Sequence, residues 1–253
     1  DFCALDELAA LLHVSHDMEK LLHAHFRSIS TLRLHHDVFS AADEKRSAPQ
    51  VSVAMRSQLL RTLVNETGRL QRISVHCEDP LLIQKSEVLW TTSLMQLVAA
   101  NRETLRSVTL RAADDYDMPG DLMFALATCP ELRELSFDHQ NSEEIAEIDE
   151  LALPTLFRSC RKLERVRLPL WWSCERDRTV DSLLGSALPL TSLSITVLRT
   201  STLQHLASPA NRGLTELALH LSNWGENDDQ QPESGKRRDV LLETIGERLR
   251  LLP

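Results

Sequence analysis

Six histidines gather near the start of the chain, at His13, His16, His23, His25, His35 and His36. Imidazole is a common transition-metal ligand and a ready acid or base near neutral pH. His13 and His16 share a helix face as i and i+3. A metal site would add carboxylates or cysteines at ligand spacing. No HExxH and no Cys partner accompanies the pair, so solvated polar helix residues are the better account. The 5 cysteines, Cys3, Cys77, Cys129, Cys160 and Cys174, are odd in number, irregularly spaced and without a CxxC pair. They read as buried or incidental thiols in a reducing compartment, not as a disulfide framework or a zinc site. Catalytic Ser-His-Asp or Cys-His groups meet only in space, but the sequence holds no GxSxG, no GxGxxG and no P-loop. With only 7 glycines there is little material for a phosphate-binding loop. The sequence therefore predicts a non-enzymatic chain with no catalytic residue, no metal and no cofactor.

Residues that could bind a partner are more prominent. They depend on a short pattern, apolar-x-x-apolar-x-apolar, which recurs along the chain. Its copies are Ile29-Leu32-Leu34, Leu70-Ile73-Val75, Leu105-Val108-Leu110 and Leu132-Leu135-Phe137, then Leu163-Val166-Leu168, Leu190-Leu193-Ile195 and Leu214-Leu217-Leu219. The steps between starts are 41, 35, 27, 31, 27 and 24 residues. The later steps match the roughly 20–29 residues of leucine-rich repeats, and the first two must carry insertions. Helical patterns lie between the copies, at 121–130, 153–160, 181–188 and 202–207, with one more at 240–249. One strand-helix unit cannot bury its apolar face alone, but stacked neighbours can. The expected architecture is an α/β solenoid: a parallel sheet on the concave face, helices on the convex face and a helical N-terminal cap over residues 1–26. Residues 27–253 would hold about seven to eight repeats, continuing past Pro253. Position nine of the second to seventh copies, occupied by Glu78, Ala113, Gln140, Trp171, Leu198 and Ser222, lacks the Asn or Cys that commonly ties neighbouring turns.

Side chains alternate faces along a strand, so the third, fifth and seventh pattern positions point away from the core. They carry five arginines (Arg33, Arg72, Arg111, Arg165, Arg167) against three acids (Glu134, Asp138, Glu216), on a chain whose net charge is −9. Arginine suits interfaces because its planar fork forms paired hydrogen bonds and stacks. Trp171 and Trp172 follow the fifth strand pattern, and Trp224 follows the seventh. Trp171 reads as packing under its own loop, and Trp172 and Trp224 as anchors at the rim. The expected partner-binding set is Arg72, Arg111, Arg165, Arg167, Trp172 and Trp224, with a protein partner along the concave sheet. Two polar stretches, 40–50 and 222–239, read as loops.

Two segments, Leu126-Ala-Thr-Cys-Pro-Glu-Leu-Arg-Glu-Leu135 and Phe157-Arg-Ser-Cys-Arg-Lys-Leu-Glu-Arg-Val166, carry a cysteine three residues before the first strand leucine. They resemble the cysteine-containing, ribonuclease-inhibitor-like repeats of F-box/leucine-rich-repeat proteins. The stretch 14–22, inside a helical pattern over 5–26 with a cap-like Ser15, resembles the second half of an F-box, although the family's Leu-Pro motif and Trp are absent. The resemblance implies a substrate receptor whose N-terminal helix docks a ubiquitin-ligase adaptor. The other reading of that helix is a plain cap shielding the first repeat. The other reading of the chain is a structural subunit of a large cytoskeletal, ribosomal or membrane-associated assembly. The acid excess argues against nucleic acid and anionic membrane as partners. No apolar run reaches the roughly 18 residues of a membrane helix, so a cytoplasmic location is expected.

Overall fold

The computed structural model describes residues 14–35, 53–77, 92–112, 120–139, 152–168, 182–197 and 213–221. All seven apolar patterns form strands. They are β1 (Thr31–His35), β2 (Arg72–Cys77), β3 (Ser107–Ala112), β4 (Glu134–His139), β5 (Arg165–Leu168), β6 (Ser192–Val197) and β7 (Glu216–Leu221). They make one open sheet in the order β1-β2-β3-β4-β5-β6-β7, and every neighbouring pair is parallel. Helices alternate with the strands. We label them α1 (His16–Ser28), α2 (Val53–Glu66), α3 (Gly120–Leu126) and α4 (Ala152–Ser159). Residues 92–100 and 182–185 are helical as well.

The register explains the spacing of the pattern. Leu32, Ile73, Val108, Leu135, Val166, Leu193 and Leu217 stand side by side across the sheet. The first six are buried. The sixth pattern position forms a parallel buried row from Leu34 through Val75, Leu110, Phe137 and Leu168 to Ile195. Both rows face the helices, which supply Leu22, Leu63, Leu97, Leu126, Phe157 and Leu184 to the same core. At β7 the rows fade: Leu217 and Leu219 are only partly buried.

One backbone arrangement repeats at all six strand steps. The carbonyl just before each strand accepts two consecutive N–H groups of the next chain segment. Ser30 O takes Gln71 and Arg72, Gln71 O takes Arg106 and Ser107, and Arg106 O takes Arg133 and Glu134. Arg133, Glu164 and Thr191 continue the series. The twelve distances run from 2.7 to 3.1 Å. A carbonyl has two lone pairs, so the double acceptance is satisfied chemistry. It fixes where every strand starts.

The helix ends are closed by a column of side chains, buried at Thr67, Asn101 and Cys160 and half-buried at Ser186. The last carbonyls of a helix lack intrahelical partners. Thr67 Oγ1 donates to Leu63 O at 2.6 Å. Asn101 Nδ2 donates to Leu97 O at 2.9 Å and to Thr67 Oγ1 at 3.4 Å, while its Oδ1 accepts from the Leu70 N–H at 2.8 Å. Cys160 Sγ lies 3.4 Å from both Leu126 O and Cys129 O. Ser186 Oγ donates to Leu183 O. Each of these residues sits three or four positions before the first apolar residue of its strand pattern.

Burial pushes the Cys129 thiol up to about 11 and the Cys160 thiol up to about 12. The thiolate is the nucleophile, and at pH 8 these values leave roughly one Cys129 in a thousand ionised, and fewer at Cys160. Iodoacetamide at pH 8 should therefore leave both unmodified in the folded chain and label both in denaturant. Peptide mass spectrometry reads this directly. Fast labelling of either residue without denaturant would show that it is not buried.

Sequence expectations and structure differ at three points. The N-terminal helix begins after the expected cap Ser15 but runs past the expected end at Phe26 to Ser28; residues 5–13 of the expected span lie outside the described residues. Ser15 is its N-cap, accepting from the Met18 N–H at 3.2 Å, with Asp17 and Glu19 in the first turn. The helix expected over 181–188 is helical only at 182–185, and Ala187 follows in the left-handed region at φ 51°. The histidines are not uniformly solvated: His23 Nδ1 meets Glu66 Oε1 at 2.9 Å. Arg27 donates to the other oxygen of Glu66, tying α1 to α2. The Arg27 hydrogen bond, aided by His23, holds the Glu66 carboxyl below the ordinary range. The helices expected at 202–207 and 240–249 lie outside the described residues, as do the two loops and all six position-nine residues.

Candidate functional site

The sheet face opposite the helices is polar, and the register arranges it in columns. The first column runs Thr31, Arg72, Ser107, Glu134, Arg165, Ser192, Glu216. The second runs Arg33, Ser74, Thr109, Ser136, Arg167, Ser194, Ala218. In the third, Arg111 stands in register with His76 and Asp138. Neighbouring strands are about 4.8 Å apart, so each column is a ladder of fixed spacing.

The expected arginines all stand on this face. Arg72, Arg165 and Arg167 are exposed, and Arg111 is half-buried. Arg165 and Arg167 project from one strand, two residues apart, beside Glu134 and Ser136. Arg72 lies three strands from Arg165, roughly 14 Å by strand spacing. Trp172 and Trp224, the expected rim anchors, lie outside the described residues, as does Trp171.

One residue on the face changes how the arginines are read. Arg165 donates to Glu134 Oε2 at 3.2 Å. Partial burial pushes the Glu134 carboxyl up, but hydrogen bonds from Arg165 and Ser107 and the charges of Arg165 and Arg72 outweigh it and hold the group below the ordinary carboxylate range. The same bond raises Arg165 further above its usual value. Arg165 was expected as a partner anchor; here it is engaged within the face. The step of 31 residues between the fourth and fifth patterns carries this signal, because it places Glu134 and Arg165 in one column. It also stacks Glu131 under Lys162 and Arg133 under Glu164, the latter pair at 2.7 Å. These pairs are solvent-exposed, and each adds little stability.

A groove of about 690 Å³ opens on this face over β1–β4. Thr31, Arg33, Arg72, Ser74, His76 and Thr109 are among its lining residues, with Ser107 and Glu134. Among the described residues no three His, Cys, Asp or Glu side chains gather as metal ligands. No helix of the described residues is long and apolar enough to cross a membrane. No family model matches the chain, and no curated protein matches it.

Proposed function

We propose that this chain is a non-enzymatic protein-interaction scaffold. In this reading it is a leucine-rich-repeat solenoid with a helical N-terminal cap, resembling the F-box/leucine-rich-repeat family, and it holds a protein partner along the polar face of its sheet. The observation that carries the proposal is the register. Seven parallel strands present polar side chains in straight columns, and those columns concentrate arginine on a chain of net charge −9. A rigid, prearranged face lowers the ordering cost of binding. Arginine is enriched among residues that dominate interface energetics.

The test compares two charge reversals. Arg111→Glu with Arg167→Glu changes the sheet face, and Arg158→Glu with Lys162→Glu changes the opposite side. Both pairs lie off the buried rows, so neither should shift the unfolding midpoint by more than a few degrees. Partner capture by the full chain should weaken by about 2 kcal/mol or more for the sheet pair, as expected of arginine anchors. It should be unchanged for the other pair. The reverse outcome moves the binding face to the helices. Two sequence readings also divide on what is captured: a ligase adaptor with its cullin marks a substrate receptor, and a fixed set of stoichiometric subunits marks an assembly component. Leu21 on α1 and Val14 just before it are about two-thirds exposed, at 65% and 67%. Two exposed apolar side chains, one just before α1 and one near its middle, suit the adaptor-docking role suggested for this segment.

A further inference from the structure

We propose that the turns leading into β2, β3, β4 and β5 form a basic rim that takes the acidic connectors of a second copy of this chain. The inference stands apart from the scaffold reading, because it uses neither the sheet face nor a foreign partner.

All seven strands are parallel, so each is entered at one edge of the sheet and left at the other. The entry turns of β2 to β5, residues 67–71, 101–106, 127–133 and 160–164, carry six cations: Arg69, Arg102, Arg106, Arg133, Arg161 and Lys162. All six are exposed. The same turns carry three acids, Glu103, Glu131 and Glu164, and each is already held by a cation of the rim. Arg102 meets Glu103 at 3.1 Å and Arg133 meets Glu164 at 2.7 Å. Lys162 meets Glu131, on which Arg106 also acts. Arg161 donates to a neutral group, Ser186 O, at 2.9 Å. The balance does not depend on any cation being unpaired: six charges against three leave the rim at +3 whichever cation each acid takes. Glu66, which ends α2 beside the first of these turns, is itself held by Arg27. The entry turns of β1, β6 and β7 hold no charged residue.

The exit edge has the opposite sign. The connectors that leave β3 and β4, residues 113–119 and 140–151, lie outside the described residues. Their sequence holds eight acids and no Lys, Arg or His, nearly the whole excess of a chain at −9. Asp114, Asp115 and Asp117 stand in the first, and the second opens its acidic run on Glu143 and Glu144. These five stay off the rim of their own molecule. β3 and β4 have six residues each, which puts the two edges about 20 Å apart. That exceeds the roughly 8 Å over which exposed charges act at physiological salt. The first connector spans at most about 25 Å and cannot cross to the rim and return to Gly120. Glu144 is five residues past His139, about 18 Å of chain at full stretch. A second copy meets no such limit. Set edge to edge, it brings two acidic connectors, leaving strands about 4.8 Å apart, against turns of the same spacing. The contact joins unlike surfaces, so it is heterologous and leaves a free rim and a free acidic edge for further copies.

Sedimentation velocity of the full chain tests this. At 0.01 M salt, where the Debye length is about 30 Å, the sedimentation coefficient should rise with protein concentration. At 1 M salt, where it is about 3 Å, the rise should vanish. Arg69→Glu with Arg106→Glu should raise the dissociation constant by at least about tenfold, since like charges then face each other. Lys20→Glu with Arg61→Glu makes the same change in net charge on exposed helix positions and should leave association in place. Arg69→Gln with Arg106→Gln stands in if the reversed pair folds poorly, with a smaller loss in the same direction. Neutralising Asp114, Asp115, Glu143 and Glu144 to Asn and Gln should weaken association as well. Mixing is decisive: the rim-reversed chain keeps its acids and the acid-neutralised chain keeps its rim, so together they should form a one-to-one pair and nothing larger. Association that persists at 1 M salt or in the rim-reversed chain overturns the inference. So does a parent chain that stays monomeric at low salt. If a fluorescent polyglutamate peptide then binds the parent and not the rim-reversed chain, the rim takes a foreign acidic segment instead; if only a single-stranded DNA oligonucleotide does so, it takes nucleic acid. The scaffold reading is decided separately, by partner capture with the Arg111 and Arg167 reversals.

Discussion

Replacing Asn101 by Ala should destabilise the chain by about 2–4 kcal/mol, although Asn101 touches no candidate partner surface. The side chain is 1% exposed and ties three neighbours. Its Oδ1 accepts from the Leu70 N–H at 2.8 Å, at the first apolar position of the second pattern. Its Nδ2 donates to Leu97 O and Thr67 Oγ1. Alanine leaves the Leu70 N–H buried without its acceptor, and such a group costs roughly 1–3 kcal/mol. Leu97 O is less affected, because the Asn101 backbone N–H also donates to it at 3.2 Å. The vacated volume adds a cavity cost. The comparison variant is Thr62→Ala. Its hydroxyl bonds Gln58 O at 3.0 Å, but in solvent, and its loss should cost no more than about 0.5 kcal/mol. Asn101→Asp makes a sharper test. The acceptor remains, the donor is lost, and a carboxylate is buried against a carbonyl. Burial favours the protonated acid, raising its folded-state pKa above the unfolded value. Stability of this variant should therefore rise, relative to the parent, as pH falls through that raised pKa. Urea melts between pH 7 and pH 5 check the sign. An Asn101→Ala loss as small as that of Thr62→Ala would mean that the polar column does not hold the strands to the helices.

This column was the least legible part of the fold. The apolar pattern repeats in sequence because β1 to β6 each bury the same two positions against the helix layer, and alternation alone exposes that. All seven strands and their order follow from it. The residues closing the helix ends do not repeat in type. Thr67, Asn101, Cys129, Cys160 and Ser186 are five solutions to one requirement, a short donor near a helix C-terminus. A pattern search over residue identity sees nothing there, whereas a search for any small donor three or four positions before the strand leucine would find all five. The candidate site was half legible for a related reason. Facing depends only on alternation, so Arg72, Arg111, Arg165 and Arg167 were placed correctly. Pairing depends on register between strands, and the unequal steps hid it except where the step is 31. That step joins Glu134 to Arg165 and Glu131 to Lys162. His23 and Glu66 are 43 positions apart, with no repeat relating them, so only the packing of α1 on α2 reveals the pair.

Phe157→Ala should cost about 3–5 kcal/mol, and its effect on cooperativity should differ from that of Phe26→Ala. Both rings are essentially fully buried, at 0% and 2% exposure, so the transfer and cavity costs are comparable. Their places in the stack are not. Phe26 sits on α1, before the first strand of the sheet, and Phe157 sits on α4, between the fourth and fifth strands. The helix α4 packs on α3, and among the described residues each strand pairs with the strands before and after it in sequence. In such an array stability is a sum of unit and nearest-neighbour contributions. A weak end unit frays and leaves the remaining units coupled. A weak interior unit separates the array into two blocks that can melt independently. Phe26→Ala should thus lower the urea midpoint with a nearly unchanged main slope after an early minor phase. Phe157→Ala should broaden the whole transition and lower its apparent slope, because less surface is exposed per cooperative step. Hydrogen exchange locates the division: the amides of β1–β3 and of β6–β7 should then exchange with different opening free energies. Equal slopes and equal midpoint shifts for the two variants would show a single cooperative core. The stacked-repeat reading would then fail, even with the seven-stranded sheet intact.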